Sequence, residues 1–324
     1  MGPNTMARPQ RRRQLLAGAL ALCGMGAGAP QAAVAATTAV TGAEAGAAAP
    51  SQVAGSQAVL LAHAGGQLEV LVDGHGPALV LLPSSLRDAT DLAPLAQRLA
   101  AQGFQVLRPQ PRGMGRSSPP PPDMTLATLA DDVALAVTRL ADGPAVIVGH
   151  AYGHWVARVT DVQHPRVVRG VVLLAAGAAQ FPSGLVEALA VASDPQQPEA
   201  KRLQALAFSM FAPGNDPRPW LDGWHPQWRD AYRRAALQPP RAVWASVAHA
   251  PMLDLQAADD AWRPAASRKQ WQDLFGDRVT VEVIAGAGHA LVPEQPDAVA
   301  AALVRWVRQL PPARTWAAAT APKP

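Results

Sequence analysis

The residues Val148-Gly149-His150-Ala151-Tyr152-Gly153-His154 follow an apolar run, Ala145 to Val148, and precede a helical pattern, Trp155 to Val162. Glycines two residues either side of a centre, between strand and helix, make the sharp turn called a nucleophile elbow, which normally holds a serine at its apex. Here the apex is alanine. A methyl group has neither a lone pair to attack a carbonyl nor a proton to give, so position 151 offers no covalent catalysis. A second chemically capable residue, His289, stands in Ala285-Gly286-Ala287-Gly288-His289-Ala290, just past the apolar run Val279 to Ile284. Imidazole takes and returns a proton near neutral pH. His63, His75, His164, His225 and His249 lack such a setting and read as ordinary residues.

These side chains need elements to position them. Ala58–Ala62 and Leu68–Val72 flank Gly65-Gly66 and predict an opening hairpin. Ala78–Leu82 is continuously apolar, as a buried central strand should be. Leu92–Ala101 and Leu126–Leu140 have helical period, while Phe104–Leu107, Ala145–Val148 and Val167–Leu174 read as strands. Such alternation predicts a mostly parallel sheet with helices on both faces. It stops between about 180 and 248, where Phe181, Phe208, Phe211, Trp220, Trp224, Trp228 and Trp244 fall among proline-rich breaks. Strands at Met252–Leu255 and Val279–Ile284 and an amphipathic helix at Ala298–Leu310 complete the pattern, and no internal repeat is present.

With these elements in order, the chain resembles the α/β-hydrolase superfamily over nearly all of residues 57–311. Besides the elbow and the Gly288-His289 loop, Gln110-Pro111-Arg112-Gly113-Met114-Gly115-Arg116-Ser117 is similar to the family's D-x-R-G-x-G-x-S, with Gln110 for the aspartate. Ala257-Ala258-Asp259-Asp260-Ala261-Trp262-Arg263-Pro264 resembles its acid loop G-x-x-D-x-x-x-P, with Ala257 for glycine. The resemblance implies an α/β-hydrolase fold with an inserted helical cap at about 180–248. It also implies His289 as the catalytic histidine and Asp260, with Asp259 as competitor, as the acid that orients it. An oxyanion hole would use the backbone N–H groups of Ser85 and Tyr152. Pro83-Ser84 stand where the family has His-Gly. The cap tryptophans, Trp220 and Trp224 among them, are expected to line an apolar pocket with His150 and His154 beside it.

Three functional readings follow. In the first, His289 with Asp260 is a general base without a serine, hydrolysing a small or medium ester or lactone, or serving a lyase or cofactor-free oxygenase reaction. In the second, the hydroxyl of Ser84 or Ser85 replaces the missing nucleophile. In the third, the chain is a non-catalytic binder of an apolar ligand. No cofactor and no metal is expected: His150 and His154 are four apart, but His150 sits in the turn and no carboxylate joins them.

The remaining features concern cell location and partners. Arg11-Arg12-Arg13-Gln14-Leu15-Leu16, an Ala/Leu/Gly stretch to about Ala29 and a small-x-small site at Ala33-Val34-Ala35 describe a twin-arginine-like export signal at 1–35. The expected partners are thus the export machinery and a small molecule, the expected location is the periplasm, and no stable membrane span is expected. Cys23, the only cysteine, lies in that signal, so the exported chain has no disulfide or thiolate chemistry. Residues 1–35 hold four arginines and no acid; removing four from 28 basic residues leaves 24 against 24 acidic ones. The overall charge of +4 therefore gives no support for nucleic-acid binding. Residues 36–56 read as a flexible linker and 312–324 as a loose tail.

Overall fold

The apolar runs become a sheet. In the computed structural model, residues 55–312 together with 315 and 316 are described. The segment 1–35 expected to be an export signal, nearly all of the expected linker 36–56 and most of the expected tail 312–324 lie outside the described residues. Eight strands form: β1 (Gln57–His63), β2 (Gly66–Asp73), β3 (Ala78–Leu82), β4 (Gln105–Pro109), β5 (Ala145–His150), β6 (Val168–Leu174), β7 (Met252–Ala257) and β8 (Val279–Ile284). Their order is β1-β2-β4-β3-β5-β6-β7-β8. The opening hairpin β1–β2 turns at His63 opposite Gly66, and β2 also runs antiparallel to β4. From β4 to β8 every pairing is parallel.

Both faces of the sheet are covered, and the pleat decides which residues go where. On one face Val80 and Ile147 pack with Leu129, Val133 and Val137 of the helix Leu126–Leu140 and with Val156 and Val159 of the helix Gly153–Gln163. On the other, Leu79, Leu81, Val146 and Val148 pack with Leu95 and Leu99 of the helix Ala93–Ala101 and with Leu303 and Val307 of the helix Pro296–Gln309. Thr125 starts the helix at 126 with a capping box, exchanging hydrogen bonds with Thr128.

Between β6 and β7 the chain leaves the sheet as a helical cap, with helices at Leu185–Ala192, Glu199–Ser209, Arg229–Ala235 and Arg241–Trp244. The cap has its own small core, in which Leu185, Leu206, Phe211 and Trp220 meet Trp262 and Ala290 from the two loops after β7 and β8. Among the described residues no helix is long and apolar enough to cross a membrane.

Buried arginines brace the loops around the sheet. Arg87 pairs with Asp91, Arg108 with Asp73, Arg112 with Asp132 and Arg263 with Asp254, at 2.5 to 2.8 Å. A buried guanidinium without a partner costs several kcal/mol, about 3–5 when a pair is broken, so each of these aspartates is structural.

Candidate active site

The elbow forms at the carboxyl end of β5, in the middle of the sheet, where α/β folds leave a crevice for ligands. Ala151 has φ +47°, and its N–H donates to the carbonyl of Leu174 at 3.0 Å. A Cβ at Gly149 would overlap the Gly153 carbonyl and the His154 nitrogen; one at Gly153 would lie 2.7 Å from the Leu82 oxygen. Both glycines are therefore required by the turn itself. Strand β5 runs two residues further than the apolar run foretold, and the helix begins at Gly153, because the elbow leaves no slack between them.

Across the cavity, His289 Nδ1 lies 3.0 and 3.1 Å from the two carboxylate oxygens of Asp260. Both residues are buried. The Asp260 carboxylate also accepts the Trp262 N–H at 2.8 Å, whereas Asp259 is exposed. Of the two candidates only Asp260 reaches the imidazole. That contact leaves Nε2, which bonds no described residue, as the atom free for chemistry on the cavity that His289 lines.

The histidine loop is tied at every side. The Ala290 N–H donates to Met210 O at 2.7 Å, and the Glu294 carboxylate accepts from Gly288 N at 2.8 Å, Ala212 N at 2.7 Å and Asn215 Nδ2 at 2.7 Å. His150 Nε2 lies 2.7 Å from the His289 carbonyl, which can only accept, so Nε2 carries the proton. Burial and the neighbouring His289 push the His150 pKa down to about 4, which keeps this ring neutral. His154 is likewise held neutral by burial; its Nδ1–H donates to the Ala151 carbonyl, and its Nε2 is a buried acceptor without a partner. Burial pushes the Tyr152 phenol pKa up, so it remains a donor, to Tyr232 O at 3.2 Å.

A cavity of about 840 Å³ lies between sheet and cap. Ala151, Tyr152, Ser84, Ser85, His154 and His289 all border it, so the elbow, the expected oxyanion turn and the imidazole share one space. Tyr152 immediately precedes the helix Gly153–Gln163, where the helix dipole favours negative charge. Ser85 is followed by Leu86 at φ +59°, a tight turn in spite of the missing His-Gly. No hydrogen bond joins the hydroxyl of Ser84 or Ser85 to His289, and Ser84 is used through its carbonyl, which accepts the Arg87 N–H at 3.2 Å.

The expected pocket walls need correcting. Trp220, Trp224 and His150 do not border the cavity. Trp220 is buried behind it, with Arg87 over its face at 4.9 Å and Phe211 at its edge, and Trp224 donates to Trp220 O at 2.6 Å. These rings are the packing of the cap. The aromatic walls are instead Trp155, Phe181, Trp262 and Trp271, with His154 among them as expected. Trp155 and Trp271 flank the His154 ring, which explains why that imidazole is buried. Sequence reasoning missed Glu294 and, apart from Phe181, which it counted among the cap aromatics, these rings. Trp262, two residues after Asp260 in an Asx-type turn, carried a local signal; Trp155, on the helix after the elbow, and Trp271, on the helix Gln270–Phe275, were not read as walls, because tertiary packing decides which rings face the cavity.

Comparison with known proteins agrees with this architecture. The profile of the Alpha/beta hydrolase family matches residues 59–302, and the chain belongs to that family. It is 30% identical over 107 residues to 2-(acetamidomethylene)succinate hydrolase of Mesorhizobium japonicum, covering 33% of this chain and 38% of that one. It is 31% identical over 141 residues to an uncharacterized protein of Mycobacterium bovis, covering 44% and 40%. The matched stretch thus spans about two fifths of either relative. An esterase from Exiguobacterium antarcticum shares the fold at TM-score 0.65 and 19% identity, over 78% of this chain and 100% of that one. A thermophilic esterase from Thermogutta terrifontis does so at TM-score 0.57 and 22% identity, over 78% and 98%.

Proposed function

We propose that the protein is a hydrolase of small or medium apolar esters or lactones in which His289, oriented by Asp260, activates water directly. The observation that carries this reading is the unengaged Nε2 of a buried, Asp260-bound imidazole facing the same cavity as the methyl of Ala151. The space left by the missing hydroxyl would hold the water. Its oxygen attacks the carbonyl carbon while its proton passes to Nε2, and the N–H groups of Ser85 and Tyr152 stabilise the oxyanion. On collapse the C–O bond breaks, and the imidazolium returns the proton to the departing alkoxide. Asp260 stabilises the cation in between. A hydrolase among the sequence relatives and esterases among the fold neighbours favour hydrolysis over the lyase and oxygenase readings. Export through the segment 1–35 would place this activity in the periplasm.

The test is a turnover screen of ester and lactone panels with wild type, His289→Ala and Ala151→Ser. Wild-type turnover that falls by about 10²–10⁴-fold in His289→Ala supports direct base catalysis. Full activity in His289→Ala ends it. A silent wild type beside an active Ala151→Ser points to the binding role instead.

A further inference from the structure

Among the described residues, the buried and half-buried arginines differ in what partners them. Arg87, Arg108, Arg112 and Arg263 each have an aspartate at ion-pair distance. Arg158 and Arg241 have none among the described residues. Arg241, at the start of the short cap helix Arg241–Trp244, borders the cavity and lies 5.3 Å from the Trp155 ring and 5.1 Å from that of Trp244. Its guanidinium makes no hydrogen bond to any described residue, and its Nε is buried without a partner. Arg158 is buried behind the same wall, 4.8 Å from the face of Trp271, and donates to the Ala245 carbonyl at 2.7 Å. Its Nε and Nη1 are also unsatisfied. Burial, with the nearby Arg241 adding to it and Asp161 opposing it, pushes its pKa down to about 9.

The other charges on the cavity do not neutralise this end. Arg229 donates to Ser193 Oγ at 2.7 Å, and Arg233 pairs at 3.3 Å with exposed Asp230. Glu187, the lining acid, makes no ion pair with any of them. The Trp155 and Trp244 rings give this half-buried guanidinium cation–π contacts but no anion and no acceptor, and a planar carboxylate is the group its fork fits.

We infer that Arg241 is a specificity residue that binds a carboxylate, so that the compound the cavity takes is an apolar carbonyl compound carrying one carboxylate at the Arg241 end. This deepens the hydrolase reading and rests on it for the carbonyl, but the carboxylate site itself is independent of turnover. The aliphatic or aromatic body of such an acid would lie along Trp155 and Trp271, and Arg158 would add to the positive field without touching it.

Binding of 4-phenylbutanoate and of its neutral isostere 4-phenylbutanamide, followed by calorimetry and by tryptophan fluorescence, tests this on the whole protein. The acid should bind wild type about tenfold or more tightly than the amide, as a charge-assisted pair requires. Arg241→Met should abolish that preference and leave amide binding in place, and Arg241→Lys should keep part of it. Equal affinity for acid and amide in wild type overturns the inference, as does failure of the acid to bind or an unchanged preference in Arg241→Met. If Arg241→Met loses both ligands, Arg241→Lys decides: a retained acid preference supports the site, and its loss overturns it. Because no turnover is read, a hydrolase reading that fails leaves this result standing, and the reverse is equally true.

Discussion

The elbow and the histidine loop border one cavity, and they are held in different ways. At the elbow the constraint is mainly steric: Gly149 and Gly153 touch backbone and Ala151 sits at φ +47°, with the apex hydrogen-bonded only through the Ala151 backbone, so the apex side chain contributes nothing to holding it. At the histidine loop the constraint is polar: Asp260, His150, Glu294 and the Met210 carbonyl bond to it or to its backbone. The difference teaches that the geometry of a site and its chemistry are separable. A sterically enforced turn keeps its shape whatever stands at its apex. A polar loop cannot keep its shape without the groups that hydrogen-bond its backbone and orient its imidazole.

The sharpest way to break the comparison is to attack the steric side alone. In Gly149→Ala the new Cβ meets the Gly153 carbonyl, which belongs to a buried helix and cannot yield. We expect a loss of about 3 kcal/mol, at the upper end of overpacking costs, in chemical denaturation. Ala151→Ser, which only fills the apex, should stay within about 1 kcal/mol of wild type. Similar losses in the two variants would mean that the apex, not the glycines, holds the turn.

The same contrast explains what was legible in the sequence. The eight strands, the flanking helices and the elbow follow from glycine spacing and apolar period, which are local properties, and Leu126–Leu140 and Val279–Ile284 were read to the residue. His289 and Asp260 came from motif resemblance, and folding brings them together across 29 positions. The cap was legible as a region but not as a surface. Nothing local distinguishes Trp220, which packs under Arg87, from Phe181, which faces the cavity, because the choice is made by how helices without sheet periodicity settle on one another. Glu294 was invisible for a related reason: its three partners lie in two separate segments, at Gly288 and at Ala212 and Asn215.

Acid probes the polar side next. His150 titrates near 6.5 when unfolded and at about 4 when folded. Between those values the unfolded chain binds the extra proton, so stability is lost as pH falls from 6.5 towards 4, by up to about 3 kcal/mol at 1.36 kcal/mol per unit. Burial raises Asp254 to about 6, and that group pulls the other way as the pH falls. The measurement is therefore the stability gap between wild type and His150→Gln, whose amide can still donate to the His289 carbonyl. The gap should move in favour of the variant across this window; a gap independent of pH would show that His150 is not held neutral by its surroundings.

The smallest effect should come from Glu294→Gln, and it separates position from binding. The carboxylate accepts three hydrogen bonds, and the amide replaces one accepting oxygen with a donor that faces another N–H. One lost bond to a charged acceptor costs about 1.5 kcal/mol of stability. Glu294 does not border the cavity, so ligand affinity should hold while the Gly288-His289 segment loosens. On any ester or lactone that the wild type turns over, kcat should drop by about tenfold with KM nearly unchanged, since misplacing a general base weakens only what happens in the transition state. A rise in KM with kcat intact would mean that this loop shapes the cavity rather than the proton transfer, and the polar side would then be scaffolding in the same sense as the glycines.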